Sequence, residues 1–197
     1  MAGKQAKVLT DKQLNAIVSH LANNTRLPEK NLALFLLSQK AGLRSCECSK
    51  LLWGDCLNSE GEVGEFIYVR DIVSKGDSGG RTIPLNKMLK DALVNLYEVR
   101  RGLVDDSWNV IHSQQNSSTS ANSITVWFHN LYKDIGIQGA SSHSGRRKFL
   151  TDVARKISSC GGSIKDVQML AGHTSVSNTM KYINGSERAK IDVVNLI

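Results

Sequence analysis

The stretches "HSGRRKFL" (143–150) and "LAGHTSVSNTMKYI" (170–183) decide how the rest of the chain is read. His143 and Arg146 are three positions apart, so on a helix they share a face, one turn from each other, and can approach a single phosphate. Gly172 closes a helical pattern, His173 follows it, and Tyr182 stands nine residues beyond, past a turn that Ser175 can cap. Imidazole, guanidinium and phenol together suit attack on a phosphodiester. Any one of these side chains alone is most often solvated surface, so the combination carries the reading.

Working outward, the pattern is mainly helical. "LTDKQLNAIVSHL" predicts a helix capped by Thr10 with Leu14, Ile17, Val18 and Leu21 on one face. The run "KNLALFLLSQKAG" is apolar enough for a buried helix ending near Gly42, and Leu43 and Arg44 then lead into a helix over "SCECSKLLW". "EFIYVRDIV" and "RTIPL" read as two strands joined by the loop "SKGDSGG", which carries Lys75. "NKMLKDALVNLYEVRRG" follows as a helix capped by Asn86, with Met88, Leu89, Ala92, Leu93 and Leu96 inward. After the polar stretch "HSQQNSSTSANS", residues 123–135 form a helix packing Ile124, Trp127, Phe128 and Leu131. Short helices complete the chain, with Ser163 and Ser175 as caps and "SERAKIDVVNLI" last, its Ile191, Val194 and Ile197 forming an apolar stripe. The expected class is mainly α with a small antiparallel β-sheet: residues 1–9 a polar lead-in, residues 10–197 one domain, and no internal repeat.

Composition narrows the function classes. At 197 residues and 41% hydrophobic, the chain can bury a full core. Its net charge of +7 favours polyanionic partners without identifying one. No apolar run is long enough to cross a bilayer and "MAGKQAKVLTDKQL" is not a leader, so a soluble cytoplasmic protein is expected. Cys46, Cys48, Cys56 and Cys160 have no paired C-x-x-C spacing and read as reduced thiols rather than zinc ligands or disulfides. A P-loop and an acidic metal cluster are both missing, so neither nucleotide nor metal nor other cofactor is expected.

Taken together, these residues resemble the signature of the tyrosine recombinase or phage integrase family. The family's first box is matched by "AGLRSCECSKLLWGD", which gives Arg44 and the acidic Glu47. Its hairpin lysine corresponds best to Lys75, its H-x-x-R box to His143 and Arg146, and its last box to His173 and the nucleophile position Tyr182. The likeness runs from about Val8 to the C-terminus. Gly145 stands where the family usually has leucine, which predicts a missing apolar anchor in the helix that holds Arg146; Ala171 stands where glycine is usual.

The resemblance implies that Tyr182 attacks DNA to form a 3′-phosphotyrosyl link and free a 5′ hydroxyl. Arg44 and Arg146 would clamp the charge that grows on the phosphate. His143 would exchange the tyrosine's proton, His173 would hydrogen-bond the phosphate, Lys75 would protonate the leaving oxygen, and Glu47 would orient a basic neighbour. Arg81, Arg147 and Lys148 are candidates for touching DNA phosphates, a solvated basic face being the plain alternative. The resemblance further implies double-stranded DNA as partner, a tetramer on two duplexes joined through the C-terminal segment, a bacterial, phage or mobile-element origin, and a separate N-terminal DNA-gripping domain that this sequence lacks. The rival readings are a type IB topoisomerase, a DNA-binding relative that has lost catalysis, and a basic helical interaction module.

Overall fold

The computed structural model describes residues 6–71, 80–100, 102–103, 105–113, 118–182, 191 and 194–195. Helix α1 (Asp11–Asn23) starts on a reciprocal cap, in which Thr10 Oγ1 accepts the Gln13 N–H at 3.2 Å and Gln13 Oε1 accepts the Thr10 N–H at 3.0 Å. Helix α2 (Pro28–Lys40) opens with proline, whose missing N–H costs nothing in a first turn. Every residue of α2 from Ala33 to Gln39 is buried. A helix apolar around its circumference belongs inside a domain, and α2 is covered by α1, by α4 (Lys87–Arg100) and by α6 (Ser144–Lys156). Phe35, Leu36 and Leu37 are each 0% exposed, worth roughly 2–3 kcal/mol apiece in apolar burial.

Helix α3 (Ser45–Cys48) stops short of the expected Trp53. The backbone is claimed elsewhere: Leu51 O accepts the Val110 N–H at 2.9 Å, Leu52 bridges to Asn109, and a 3-10 turn runs over Trp53–Asp55. Strands β1 (Phe66–Val69) and β2 (Arg81–Pro84) pair antiparallel, with Ile67 opposite Ile83 and Val69 opposite Arg81. Strand side chains alternate, so Ile67, Val69, Ile83 and Arg81 share the inward face. Lys75 and most of the loop between the strands lie outside the described residues.

In α4, Asn86 Oδ1 accepts the Met88 N–H at 3.1 Å, and Leu89, Ala92, Leu93 and Leu96 face the core. Met88, expected inward, is 47% exposed, because it sits roughly 100° around the helix from Leu89, off the buried stripe. Helix α5 (Ala121–Asp134) begins ahead of the expected Ser123, since Ser120 Oγ caps it by accepting the Ser123 N–H at 3.0 Å. After α6 come a 3-10 turn (Ile157–Cys160), α7 (Ile164–Ala171) and α8 (Val176–Met180). Most of the expected last helix, residues 186–197, lies outside the described residues. The architecture is mainly α with one two-stranded antiparallel sheet, as expected.

Gly145 does the opposite of what its missing side chain predicts. A Cβ there would lie 2.6 Å from Ser38 Oγ and 3.2 Å from the Ser38 carbonyl carbon, so glycine lets α6 close onto α2. The helix is held by proximity rather than by an apolar anchor. Among the described residues no helix is long and apolar enough to cross a membrane, and no group of His, Cys, Asp and Glu is arranged to hold a metal ion. The four cysteines are free thiols.

Candidate active site

The site is built on a buried carboxylate. Glu47, in the first turn of α3, folds back so that Oε2 accepts the Arg44 N–H at 2.8 Å while Oε1 accepts Arg44 Nη1 at 2.8 Å. From β2, Arg81 grips the same group as a two-pronged fork, Nη1 to Oε1 at 2.9 Å and Nη2 to Oε2 at 3.1 Å. Arg146 Nη1 approaches Oε2 at 4.0 Å. Burial pushes the Glu47 carboxyl up, but the hydrogen bonds and charge of Arg81, the Arg44 N–H and the charge of Arg146 outweigh it and hold the group below the usual carboxylate range. Three guanidiniums around one anion leave two positive charges uncompensated, which is the charge of a doubly negative phosphoryl transition state with its sign reversed.

Arg146 is fixed by backbone on two sides. Its Nη1 donates to Gly42 O at 2.5 Å and its Nη2 to Ala171 O at 2.6 Å. Gly42 has φ +66°, a left-handed conformation that ends α2, and a Cβ there would meet Phe149 of α6 at 2.5 Å. Gly172, at φ +59°, ends α7 and turns the chain into His173, whose N–H closes onto Gln168 O at 3.2 Å. Gln168 Nε2 also donates to His173 O at 2.8 Å.

His173 Nε2 lies 3.1 Å from Arg146 Nη2, and Nδ1 lies 2.9 Å from Thr179 Oγ1. Burial, then the charges of Arg146, Arg44 and Arg81, pull its pKa down to about 4, so the ring is neutral near pH 7. The Tyr182 ring stacks on it, with centroids 5.8 Å apart and planes 17° apart. His143 stands at the exposed N-cap of α6, its Nδ1 3.4 Å from Ser142 Oγ; partial desolvation and then the Arg146 and Arg44 charges hold it below the ordinary imidazole value. Ser141, His143, Arg146, Arg147, Lys181 and Tyr182 line an open pocket of about 310 Å³. A neighbouring groove of about 780 Å³ between β2 and α7 is lined by Arg81, Gly172 and His173.

Arg44, Glu47, His143, Arg146, His173 and Tyr182 therefore meet in one region, while Lys75 lies outside the described residues. The three expected DNA contacts differ from one another. Arg147 Nη1 donates to Ala6 O and lines the pocket. Lys148 is held between Asp152 at 2.6 Å and Asp11 at 3.0 Å. Arg81, whose side chain is 7% exposed, forms the back wall against Glu47 and donates through Nε to Leu170 O at 3.1 Å. Its place was readable in part, since alternation with Ile83 points it inward. Thr179 was missed altogether, and no local pattern marks it.

The model of the phage integrase family matches residues 7–188. No curated protein matches the chain in sequence. Among solved structures, the Tn1549 transposon integrase in complex with circular intermediate DNA is similar at TM-score 0.77 and 22% identity, covering 100% of this chain and 69% of that one. XerA recombinase is similar at 0.73 and 22%, covering 98% and 65%. A lambda integrase dimer bound to a COC′ core site is similar at 0.65 and 20%, covering 92% and 49%. The chain thus spans about two thirds of the first two and about half of the third.

Proposed function

The chain belongs to the phage integrase family and has the tyrosine recombinase catalytic-domain fold, and we propose that it cuts and rejoins double-stranded DNA through a 3′-phosphotyrosyl link on Tyr182. One observation carries the reading: Tyr182 stacks on a histidine that meets Arg146, and Arg146 shares the Glu47 carboxylate with Arg44 and Arg81. The nucleophile and the charge clamp thereby address one phosphate.

In the proposed step the Tyr182 oxygen attacks phosphorus and the bond to the 5′ oxygen breaks. His143, neutral at working pH, takes the phenolic proton, and Lys75 gives a proton to the departing oxygen. Arg44 and Arg146 hold the non-bridging oxygens, with Glu47 behind both guanidiniums and Arg81 holding Glu47 in place. The phosphotyrosine conserves the bond energy, so a 5′ hydroxyl can reverse the step without another energy source. Residues 10–197 would be the breaking and rejoining unit, acting as a tetramer across two duplexes. Gly145 gives little support to an inactive relative, because it packs α6 closely instead of loosening it.

The test uses nicked duplexes with randomised cores, from which complexes that survive denaturant are recovered. Wild type is expected to yield a covalent adduct that disappears in Tyr182→Phe. An adduct from neither protein on any duplex would overturn the proposal. Rapid relaxation of supercoiled plasmid, independent of sequence, would shift the reading to a topoisomerase.

A further inference from the structure

Thr179 lies on α8 three residues before Tyr182, is 0% exposed, and places its hydroxyl 2.9 Å from His173 Nδ1. The other ring nitrogen faces Arg146 Nη2 at 3.1 Å. A guanidinium only donates, so Nε2 accepts; the neutral ring then carries its proton on Nδ1, which donates to Thr179 Oγ1. A phosphate oxygen only accepts, so His173 can hydrogen-bond it only with a proton on Nε2. In that state Nδ1 is a lone pair and needs a donor. A hydroxyl can serve both states, whereas a carboxylate or a backbone N–H serves one.

We propose that Thr179 is a positioning residue for strand cleavage, its hydroxyl accepting from His173 Nδ1–H in the free protein and donating to Nδ1 once Nε2–H turns to the scissile phosphate. This rests on the recombinase reading above. The proton balance is neutral: Nδ1 releases a proton to water and Nε2 takes one up. The exchange also frees the Arg146 Nη2 hydrogen that faced Nε2, so a single tautomer change supplies the phosphate with two donors. In the free protein, burial and then the charges of Arg146, Arg44 and Arg81 disfavour a second proton on this ring. In the free protein the Thr179 anchor holds the ring that Tyr182 stacks on.

The experiment compares wild type with Thr179→Ser, which keeps the hydroxyl, and Thr179→Val, which removes it at nearly constant volume. Two-bond proton–nitrogen correlations on ¹⁵N-labelled protein without DNA report the tautomer, with the His173 signals identified by their loss in His173→Gln. Wild type, Thr179→Ser and Thr179→Val are all expected in the Nδ1–H form, because Arg146 facing Nε2 fixes the tautomer of the free ring in each. Adduct formation on the nicked duplex is expected to fall roughly 10–100-fold in Thr179→Val, the usual cost of removing a partner behind a site residue, and to stay within a few fold in Thr179→Ser. Three results would overturn the proposal: an Nε2–H ring in free wild type, cleavage by Thr179→Val at the wild-type rate, or equal losses in both variants. The wild-type ring signal needs no cleavage event, so it stands apart from failure of the recombinase reading.

Discussion

The back wall of the site and its rim are built on opposite principles. At the wall, Glu47, Arg81 and Arg146 have side chains 0%, 7% and 5% exposed, and their charged atoms are held by short, mutually satisfying hydrogen bonds. At the rim, His143 is exposed and its ring has one long contact with Ser142, while Tyr182 is half-buried and held by stacking. Charge stabilisation works best from groups that need not reorganise, so it sits in the rigid part. The groups proposed to make and break bonds sit where an incoming phosphate could adjust them.

Removing the carboxylate should have the largest effect on folding. Glu47→Ala leaves Arg44, Arg81 and Arg146 facing one another, and urea unfolding should show a loss of about 3–5 kcal/mol. A loss under about 1 kcal/mol would mean that the wall is not held by this anion. Gly145→Leu should follow at about 2–3 kcal/mol, because the side chain meets Ser38 where there is no space, and the same measurement checks it.

Acid should act next, through the wall's own histidine. Above pH 6.5 His173 is neutral both folded and unfolded; between 6.5 and about 4 the unfolded chain takes a proton that the folded one refuses, so stability falls with pH. After allowing for partial exposure the loss is about 2 kcal/mol, read from urea midpoints between pH 7 and pH 4. His173→Asn should flatten that slope. The smallest stability effects belong to the rim: His143→Gln and Tyr182→Phe should each shift unfolding by less than about 0.5 kcal/mol, while adduct formation drops about 100-fold or more in the first and vanishes in the second. If the rim variants unfolded as readily as Glu47→Ala, the contrast between wall and rim would collapse.

What could be read in advance follows from how local each cause is. The Thr10–Gln13 cap and the apolar run Leu32 to Leu37 of α2 are written in consecutive residues, and the spacing of the boxes marks Arg44, His143, Arg146, His173 and Tyr182. The early end of α3 depends on pairing of Leu52 with Asn109, and a helix pattern over "SCECSKLLW" cannot anticipate it. Gly145 misleads for the same reason, since a missing side chain reads as lost packing until α2 is seen occupying the space. For Arg81 the inward face was legible but the partner was not, because Glu47 lies on another element. Thr179 has no sequence signal, since its meaning depends on which ring nitrogen Arg146 occupies.

The two carbonyls that seat Arg146 come from opposite halves of the described chain, Gly42 after α2 and Ala171 at the end of α7. A growing polypeptide offers the first long before the second exists. Until α7 has docked, the arginine lacks its second carbonyl and the tyrosine lacks the histidine it stacks on. If the proposed DNA cleavage were retained by half-made or half-melted copies, it would endanger the host. On the proposed reading the geometry would act as a completion check, since the clamp and the nucleophile come together only once α7 has docked.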